Sequence, residues 1–553
     1  MIEKPVGVAC RRVVPVRAKG TLLPTCLLLA TMLSACTAAE SAVPDEADAA
    51  FDDVPAPGPD ARPIDAEARG DVDAVADAPL DAPSPATSSC DHDPGGTTTT
   101  APWGDPMPAC LATHDVTTQA QLDARLLKAA PGDCIVVGDG NYTLGAIGVA
   151  GTAAKPIVVR ALHRGKAVIS AGTLTTSAKT AYLVLEGFDW TSSGGLRING
   201  CDHCRLTRNR FRLAETADMD WIVLTNSDHV RIDHNEIGPK GHTGNPISIF
   251  GAGGSVARHT RIDHNYIHDL QTGGDYPSKG CGFNPGGEAI RVGVSSLATL
   301  SSFTVVEHNL FERCDGDPET VSSKTSDNVV RYNTFRSTAG TITARFGDRA
   351  RVCGNFILGG GKACSGGIRL IGKGHEVFDN YVQGVQGYTL ELHAGDPTHP
   401  AVDSALVVFN TLLGGASGLY VGADAKDCVV ANNILTGVSG NLIRFAGTGT
   451  PPGMTAAANL APLGSAKLGV AGAFWTTAFR DLDPSFVARG ELSVLGPASI
   501  HAIGRSEGKY PAIAVDSDGQ PRDDQPDIGA DELSTSAIER APLTAAAVGP
   551  SAP

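Results

Sequence analysis

Arg351-Val352-Cys353-Gly354-Asn355-Phe356-Ile357-Leu358 and, one unit on, Glu376-Val377-Phe378-Asp379-Asn380-Tyr381-Val382-Gln383 share a frame, apolar-x-x-Asn-x-apolar, that decides the fold. The frame occurs nine times: Leu206/Asn209/Phe211, Ile232/Asn235/Ile237, Ile262/Asn265/Ile267, Val306/Asn309/Phe311, Val330/Asn333/Phe335, Val352/Asn355/Ile357, Val377/Asn380/Val382, Val407/Asn410/Leu412 and Val429/Asn432/Ile434. Successive asparagines lie 26, 30, 44, 24, 22, 25, 30 and 22 residues apart, so one unit is 22 to 26 residues, with insertions in three of them. Self-similarity at this period marks a solenoid. Between the frames come short runs of Val, Ile and Phe broken by Gly, Asn and Asp, which read as strands and turns rather than helices. The expected fold is all-β, a right-handed parallel β-helix in which each strand pairs with its equivalent one coil along, about 4.8 Å away. Asparagine stacked at one turn position predicts an internal hydrogen-bonded ladder and tolerates the left-handed backbone of a tight bend. It is given no chemistry.

The solenoid is expected over residues 106–533. At its upstream end, Thr117 to Leu122 reads as a short amphipathic helix capping the open edge, followed by a turn and a first strand at Asp133 to Val137. Downstream, Asp516 to Glu532, including Pro526-Asp527-Ile528-Gly529-Ala530-Asp531-Glu532, reads as a closing segment. Residues 534–553 are expected to form a disordered tail.

The front of the chain is of another kind. Arg11, Arg12, Arg17 and Lys19 precede an apolar run from Thr21 to Leu33, too short for a mature membrane span, so residues 1–35 read as an export signal. Leu33-Ser34-Ala35-Cys36 resembles a bacterial lipobox, which implies lipidation of Cys36 and an exported outer-membrane or cell-surface lipoprotein, with ordinary secretion as the alternative. Residues 36–105 read as a disordered linker. Between Thr37 and Ser89 it carries thirteen Asp and Glu against Arg62 and Arg69, most of the formal net charge of −16. The acidity of the whole chain therefore says little about its partner, and no nucleic acid is implied. The membrane enters only through a lipid anchor, and a monomer is expected. Ten cysteines follow Cys36 in an oxidising compartment. Cys201-Asp202-His203-Cys204 lacks a second such pair, so a structural disulfide or two buried thiols is expected there rather than a zinc site.

From Asn284 to Arg369 charges stand where a coil is normally bland: Asn284, Glu288, Arg291, Asp317, Glu319, Lys324, Arg345 and Arg369. Lys324, Arg345 and Arg369 fall nine, ten and eleven residues before Asn333, Asn355 and Asn380, a phase that predicts one strip of cations on a single face. Asp317 and Glu319 flank Pro318 and project to one side. With Asn284 or Glu288 they make an all-oxygen set suited to Ca²⁺. Lys240, His242 and His393 are further candidates for the groove.

Asn309 to Ser326, with Glu312-Arg313-Cys314-Asp315-Gly316-Asp317-Pro318-Glu319 at its centre, then Arg331 to Phe335, Thr343 to Asp348, Gly286 to Gly293 and Gly366 to Arg369, closely resemble polysaccharide lyase family 6, which contains alginate lyases and chondroitinase B. The resemblance runs from about Thr117 to Leu435. It implies Lys324 as Brønsted base, Arg345 as or beside the acid, and Asp317 and Glu319 as Ca²⁺ ligands with Asn284 or Glu288; Arg369, to which the resemblance extends, is expected to contact substrate, as are Arg291, Lys240 and His393. The implied reaction is β-elimination on a uronate polymer, alginate first and a chondroitin or dermatan type of glycosaminoglycan second. Three positions depart from the family: Asp317 replaces a glutamate, Pro285 sets Asn284 one residue farther from the Gly-Gly pair, and Phe346 replaces a histidine. The residues themselves leave two rivals: a glycoside hydrolase using paired carboxylates, and a carbohydrate-binding surface solenoid without turnover.

Overall fold

The computed structural model describes residues 89–96, 109–271, 276–395, 399–463 and 468–553. The export signal, Cys36 and most of the acidic linker lie outside the described residues. Three parallel sheets run the length of the body. The first has 14 strands, from Ala112–Val116 to Thr455–Ala457; the second has 14, from Gly140–Thr143 to Phe479–Arg480; the third has 11, from Leu174–Thr175 to Ile443–Phe445. Each strand pairs with the equivalent strand one coil along, as in Val306↔Val330 and Val330↔Val352, so the fold is a parallel β-helix. Its interior is one continuous apolar column from Val116 to Phe479.

The ladder shows why the repeat needs asparagine. The side-chain nitrogen of Asn333 donates to the carbonyls of Val306 and Arg331, at 2.9 Å each, and to Oδ1 of Asn355 at 3.0 Å. Its oxygen accepts the backbone amide of Asn309 at 3.0 Å, so each residue ties three coils and no turn amide is left bare inside. Ten asparagines form this ladder, each of the first nine donating to Oδ1 of the next: Asn209, Asn235, Asn265, Asn309, Asn333, Asn355, Asn380, Asn410, Asn433 and Asn459. The ninth rung is therefore Asn433 and not Asn432. The doublet fits the frame in two registers, and burial of Val430 and Leu435 in the core selects the second. Nor is the ladder residue the left-handed one. That conformation belongs to the residue before it, as at His234, His264, His308 and Tyr332, with φ of 52°, 53°, 51° and 56°.

The cap at the upstream end is as expected, a helix at Gln119–Leu126 with Thr118 and Gln121 forming a reciprocal capping box and Leu122 fully buried. One strand, Ala112–Val116, precedes it, so Asp133–Val137 is the second strand rather than the first. A six-residue helix at Ala473–Ala478, which no sequence period announced, buries Trp475 beside the last strands. Among the described residues no helix is long and apolar enough to cross a membrane.

Two stretches read as disordered are held against the coils. Within the linker range, Cys90 is bonded to Cys353, and Asp91 and Asp93 accept from Tyr332 and Arg331 at 2.7 Å each. In the tail, the Leu543 amide donates to Thr334 at 2.8 Å, the Gly549 amide to the His264 carbonyl at 2.8 Å, and Arg208 to the Ala552 carbonyl at 2.6 Å. Composition suggested disorder because neither stretch has a core of its own; both borrow partners from the outer surface of the solenoid. The closing segment lies where expected, its Gly529 and Ala530 amides bonded to Asn432 and Thr411. Cys201 and Cys204 form a disulfide, as do Cys110 with Cys134 and Cys281 with Cys364.

Candidate functional site

The 44-residue interval between Asn265 and Asn309 holds the strands Tyr266–Leu270, Ile290–Val292 and Val305–Glu307, and the segment ahead of Ile290–Val292 is tied down by the Cys281–Cys364 disulfide. The Gly286 and Gly287 amides donate to Oδ2 of Asp317 at 2.9 and 3.2 Å, and Gly286 also donates to Oδ1 of Asn284 at 3.2 Å. Asn284 is exposed but shares that amide with Asp317, so the two acceptors sit side by side. The approach is close enough to require glycine at 316, where a Cβ would meet the Gly287 carbonyl oxygen at 2.3 Å.

Strand Glu319–Ser323 then does something a regular strand cannot. Glu319 pairs with Thr341 while Val321 pairs with Ile342, so one extra residue is accommodated between them. Without this bulge Glu319 and Val321, two apart, would face the same way. With it, Val321 stays in the core and Glu319 joins the outer face.

On that face Lys324 and Arg345 are neighbours across adjacent coils, the Arg345 amide donating to the Ser323 carbonyl at 2.8 Å. Arg369 is not the third member of their row: it pairs with Thr343, and Ile371 takes the place beside Arg345. The phase differs by two residues between Lys324 and Arg369, a full side-chain repeat of a strand, so Arg369 faces outward but one step back. There it continues a row that runs Arg291, Ser322, Thr343, Arg369, Glu391, Tyr420, Arg444. The expected single strip is two parallel rows on one face.

Four of these cations have a carboxylate partner, while Arg444 donates to the Tyr388 hydroxyl at 3.1 Å. Lys324 Nζ lies 3.3 Å from Glu288 Oε1, and Arg345 donates to Glu319 Oε1 at 2.7 Å. Arg291 reaches Asp220 at 3.1 Å and Arg369 lies 3.6 Å from Glu391. Glu288, Asp317 and Glu319 are all buried, at 2 to 3% exposure, and the second oxygens of Glu288 and Glu319 accept no hydrogen bond from the protein. Electrostatics separates the two residues either side of Pro318. Burial pushes the Asp317 carboxyl up, and the neighbouring Glu288 and Glu319 add to this against the opposing pull of its amide donors. Burial also acts on Glu319, but Arg345, Lys324 and Arg369 outweigh it and hold that carboxylate at about 2. An all-oxygen donor set with two unused buried oxygens and mutually repelling carboxylates fits a hard divalent cation. Glu288 and Glu319 are turned onto Lys324 and Arg345, and the three carboxylates do not bring one oxygen each within 4.8 Å of one another.

Two expected substrate contacts are placed differently. Lys240 is 3% exposed, with its three protons spent on Glu215 at 2.6 Å and on the His242 and Thr243 carbonyls at 2.8 and 3.1 Å; it fastens its own loop and does not face the groove. His393 is nearly buried, its Nδ1 accepting the Gly395 amide at 3.0 Å. A contact that spacing did not reveal lies beside it. His399 stacks on Phe346 with ring centres 4.6 Å apart, and the Arg345 guanidinium lies 4.6 Å over the same ring. The insertion between Asn380 and Asn410 that carries His399 interrupts the repeat, so phase counting could not find it.

Among solved structures the chain is similar to AlyGC, a family 6 alginate lyase, at 22% identity and a TM-score of 0.57, covering 78% of this chain but 59% of that one. The chain thus spans less than two thirds of that enzyme's length. It is also similar to a mannuronic acid specific family 6 lyase from human gut microbiota, at 26% identity and a TM-score of 0.54, covering 67% of this chain and 90% of the other. A third similar structure is a family 6 alginate lyase in complex with a trisaccharide, at 18% identity and a TM-score of 0.55, covering 74% and 94%. No curated protein matches. The family model of chondroitinase B matches residues 116–436, which is more than half the chain and contains every residue of the two rows up to Tyr420, and the chain belongs to that family, polysaccharide lyase family 6.

Proposed function

We propose that the protein cleaves a uronate-containing acidic polysaccharide by β-elimination, with alginate as substrate. The observation that carries this reading is the adjacency of Lys324 and Arg345 on neighbouring coils, each against a buried carboxylate with an unused oxygen. Elimination requires removal of the proton beside the uronate carboxylate and delivery of a proton to the departing glycosidic oxygen. Lys324 takes the first and Arg345 serves the second. Arg291 and Arg369, each committed to one carboxylate and still on the outer face, offer guanidinium forks to uronate carboxylates. Asp317, Glu319 and Glu288, with Asn284 beside Asp317, would hold Ca²⁺. The bound ion supplies positive charge that offsets the substrate carboxylate and the enolate-like charge formed from it.

Alginate is favoured by the similar structures, whose names specify alginate or mannuronic acid. The chondroitinase B family model favours dermatan or chondroitin chains as the second reading. The deciding experiment incubates the protein with polymannuronate, polyguluronate, dermatan sulfate and pectate, with and without chelator, and follows ultraviolet absorbance. A lyase creates an absorbing double bond on one polymer and loses the activity with Ca²⁺ removed. Shortening of the polymer without new absorbance would identify a hydrolase instead. Residues 1–36 support export with a lipid on Cys36; retention of a Cys36→Ser variant in the membrane fraction would overturn that anchor.

A further inference from the structure

The strongest cluster outside the groove lies in the closing segment. Asp516 and Asp518 stand in the turn Asp516-Ser517-Asp518-Gly519-Gln520, and Asp531 comes from the segment beyond it. Their exposures are 1%, 1% and 6%, and one oxygen from each gathers within 4.8 Å of the others. Three guanidinium groups are near, and one of them, Arg540, donates to the Asp516 and Ser517 carbonyls at 2.9 and 3.3 Å. Arg522 is consumed elsewhere, donating to Asp379 at 2.7 Å, to Glu532 at 3.2 Å and to the Gly529 carbonyl at 2.9 Å. Arg489 pairs with Asp518 Oδ2 and lies 3.3 Å from Asp531 Oδ1.

The remaining contacts leave the other oxygen of Asp518 unused. Asp516 accepts the amides of Asp518, Gln520 and Glu532 at 2.9, 2.8 and 2.8 Å, and Asp531 Oδ2 accepts the Leu495 amide at 3.0 Å. Asp518 Oδ1, in a side chain 1% exposed, accepts nothing. A buried carboxylate oxygen without a donor is costly, and of the three carboxylates only Asp518 and Asp531 have a paired cation, the one guanidinium of Arg489.

We propose that Asp516, Asp518 and Asp531 form a structural divalent-cation site, its ligand Ca²⁺, independent of the groove. The donors are all oxygen, which selects a hard ion over zinc. Occupancy would join the hairpin Val487–Arg489/Leu492–Val494, the turn at 516–520 and the segment at 526–532 into one unit. Through the Asp518 carbonyl, which accepts the Glu539 and Arg540 amides at 2.9 Å each, it would also hold the tail.

The test uses the full chain stripped with chelator and returned to Ca²⁺ or Mg²⁺. Amide hydrogen exchange in 487–496 and 514–533 should slow at least tenfold with Ca²⁺, and the melting temperature should climb with the logarithm of its concentration. Asp518→Asn with Asp531→Asn should abolish the exchange response in these segments while polymer cleavage at saturating Ca²⁺ persists. Glu319→Gln, a change in the groove, should leave the exchange response in place. Equal exchange in these segments with and without Ca²⁺ in the unmodified chain overturns the site, and that comparison decides even if the double variant does not fold.

Discussion

The first and third sheets both carry rows of charge on their outer faces at one-coil spacing, yet the two rows end in opposite states. On the first sheet, Arg205, Arg231 and Arg261 stand in register, as do Asp233, Asp263, Glu307 and Arg331 two residues along. Arg205 grips Asp233 of the next coil through two bonds of 2.7 and 2.6 Å, and Arg231 grips Asp263 at 2.8 and 2.7 Å. Arg261 and Arg331 share Glu307, and both reach Asp93 of the docked front segment. Every one of these carboxylate oxygens is engaged. On the third sheet Glu288, Glu319, Ser322 and the Nε of Arg291 each keep a buried atom without a hydrogen bond. The same repeat thus builds a closed charge ladder that holds coils together and an open one that has bonding capacity left for a ligand.

Removing the amine from the open row should have the largest effect. Lys324→Ala is expected to lower cleavage about 10²- to 10⁴-fold, the range lost with a general base. Polymer binding, read by affinity electrophoresis, and the melting temperature should change little. A variant that cleaves at the normal rate would mean the open row is not catalytic and would erase the functional half of the contrast.

The closed row should respond in the reverse sense. Asp233 is fully buried, its charge held well below the usual carboxylate range by Arg205 and His234 despite the burial that opposes it. Asp233→Ala strands Arg205, itself 1% exposed, and should cost about 3–5 kcal/mol of stability in urea unfolding. Cleavage per folded molecule should survive. Loss of turnover with stability intact would show that the closed row reaches into the chemistry.

How much of this contrast the sequence carried depends on which physical signal each part leaves. The ladder was legible because an internal asparagine has no substitute that bonds three coils, so the residue recurs with the coil. Asn432 and Asn433 show the limit of that signal, since two adjacent asparagines satisfy the frame and only core packing chooses between them. Lys324 and Arg345 were placed on one face correctly because the turn between them keeps the coil length nearly constant. Arg369 slipped by a step because residue counting is blind to how many residues a strand or turn absorbs: its count of eleven to Asn380 exceeds the nine of Lys324 by one full side-chain repeat, and Ile371 takes the place beside Arg345. The same blindness hid the bulge that turns Glu319 outward. Lys240 was misplaced for a different reason: a basic residue in a loop looks solvated until its partner, Glu215 twenty-five residues away, is seen. The docking of residues 89–96 and 534–553 was invisible because their partners sit on coils hundreds of residues distant.

The smallest effect concerns acid, and it would sharpen the difference by showing where the closed side is weakest. At the left-handed position before each rung, His234, His264 and His308 stack with centres 4.9 and 5.0 Å apart. His234 and His264 face Asp233 and Asp263 at 2.8 and 2.9 Å, whereas His308 lies 3.9 Å from Glu307, which Arg261 and Arg331 already occupy. Burial, with His264 beside it, lowers the His308 imidazole to about 3 from an ordinary 6.5. The folded state therefore favours neutral His308, and its contribution is intact above pH 6.5 and lost as pH falls from there through 3. His308→Gln should flatten part of the acid limb of stability across that window and leave neutral stability nearly unchanged. Parallel acid limbs for the two proteins, measured by urea midpoint between pH 7 and pH 3, would place the acid weakness elsewhere.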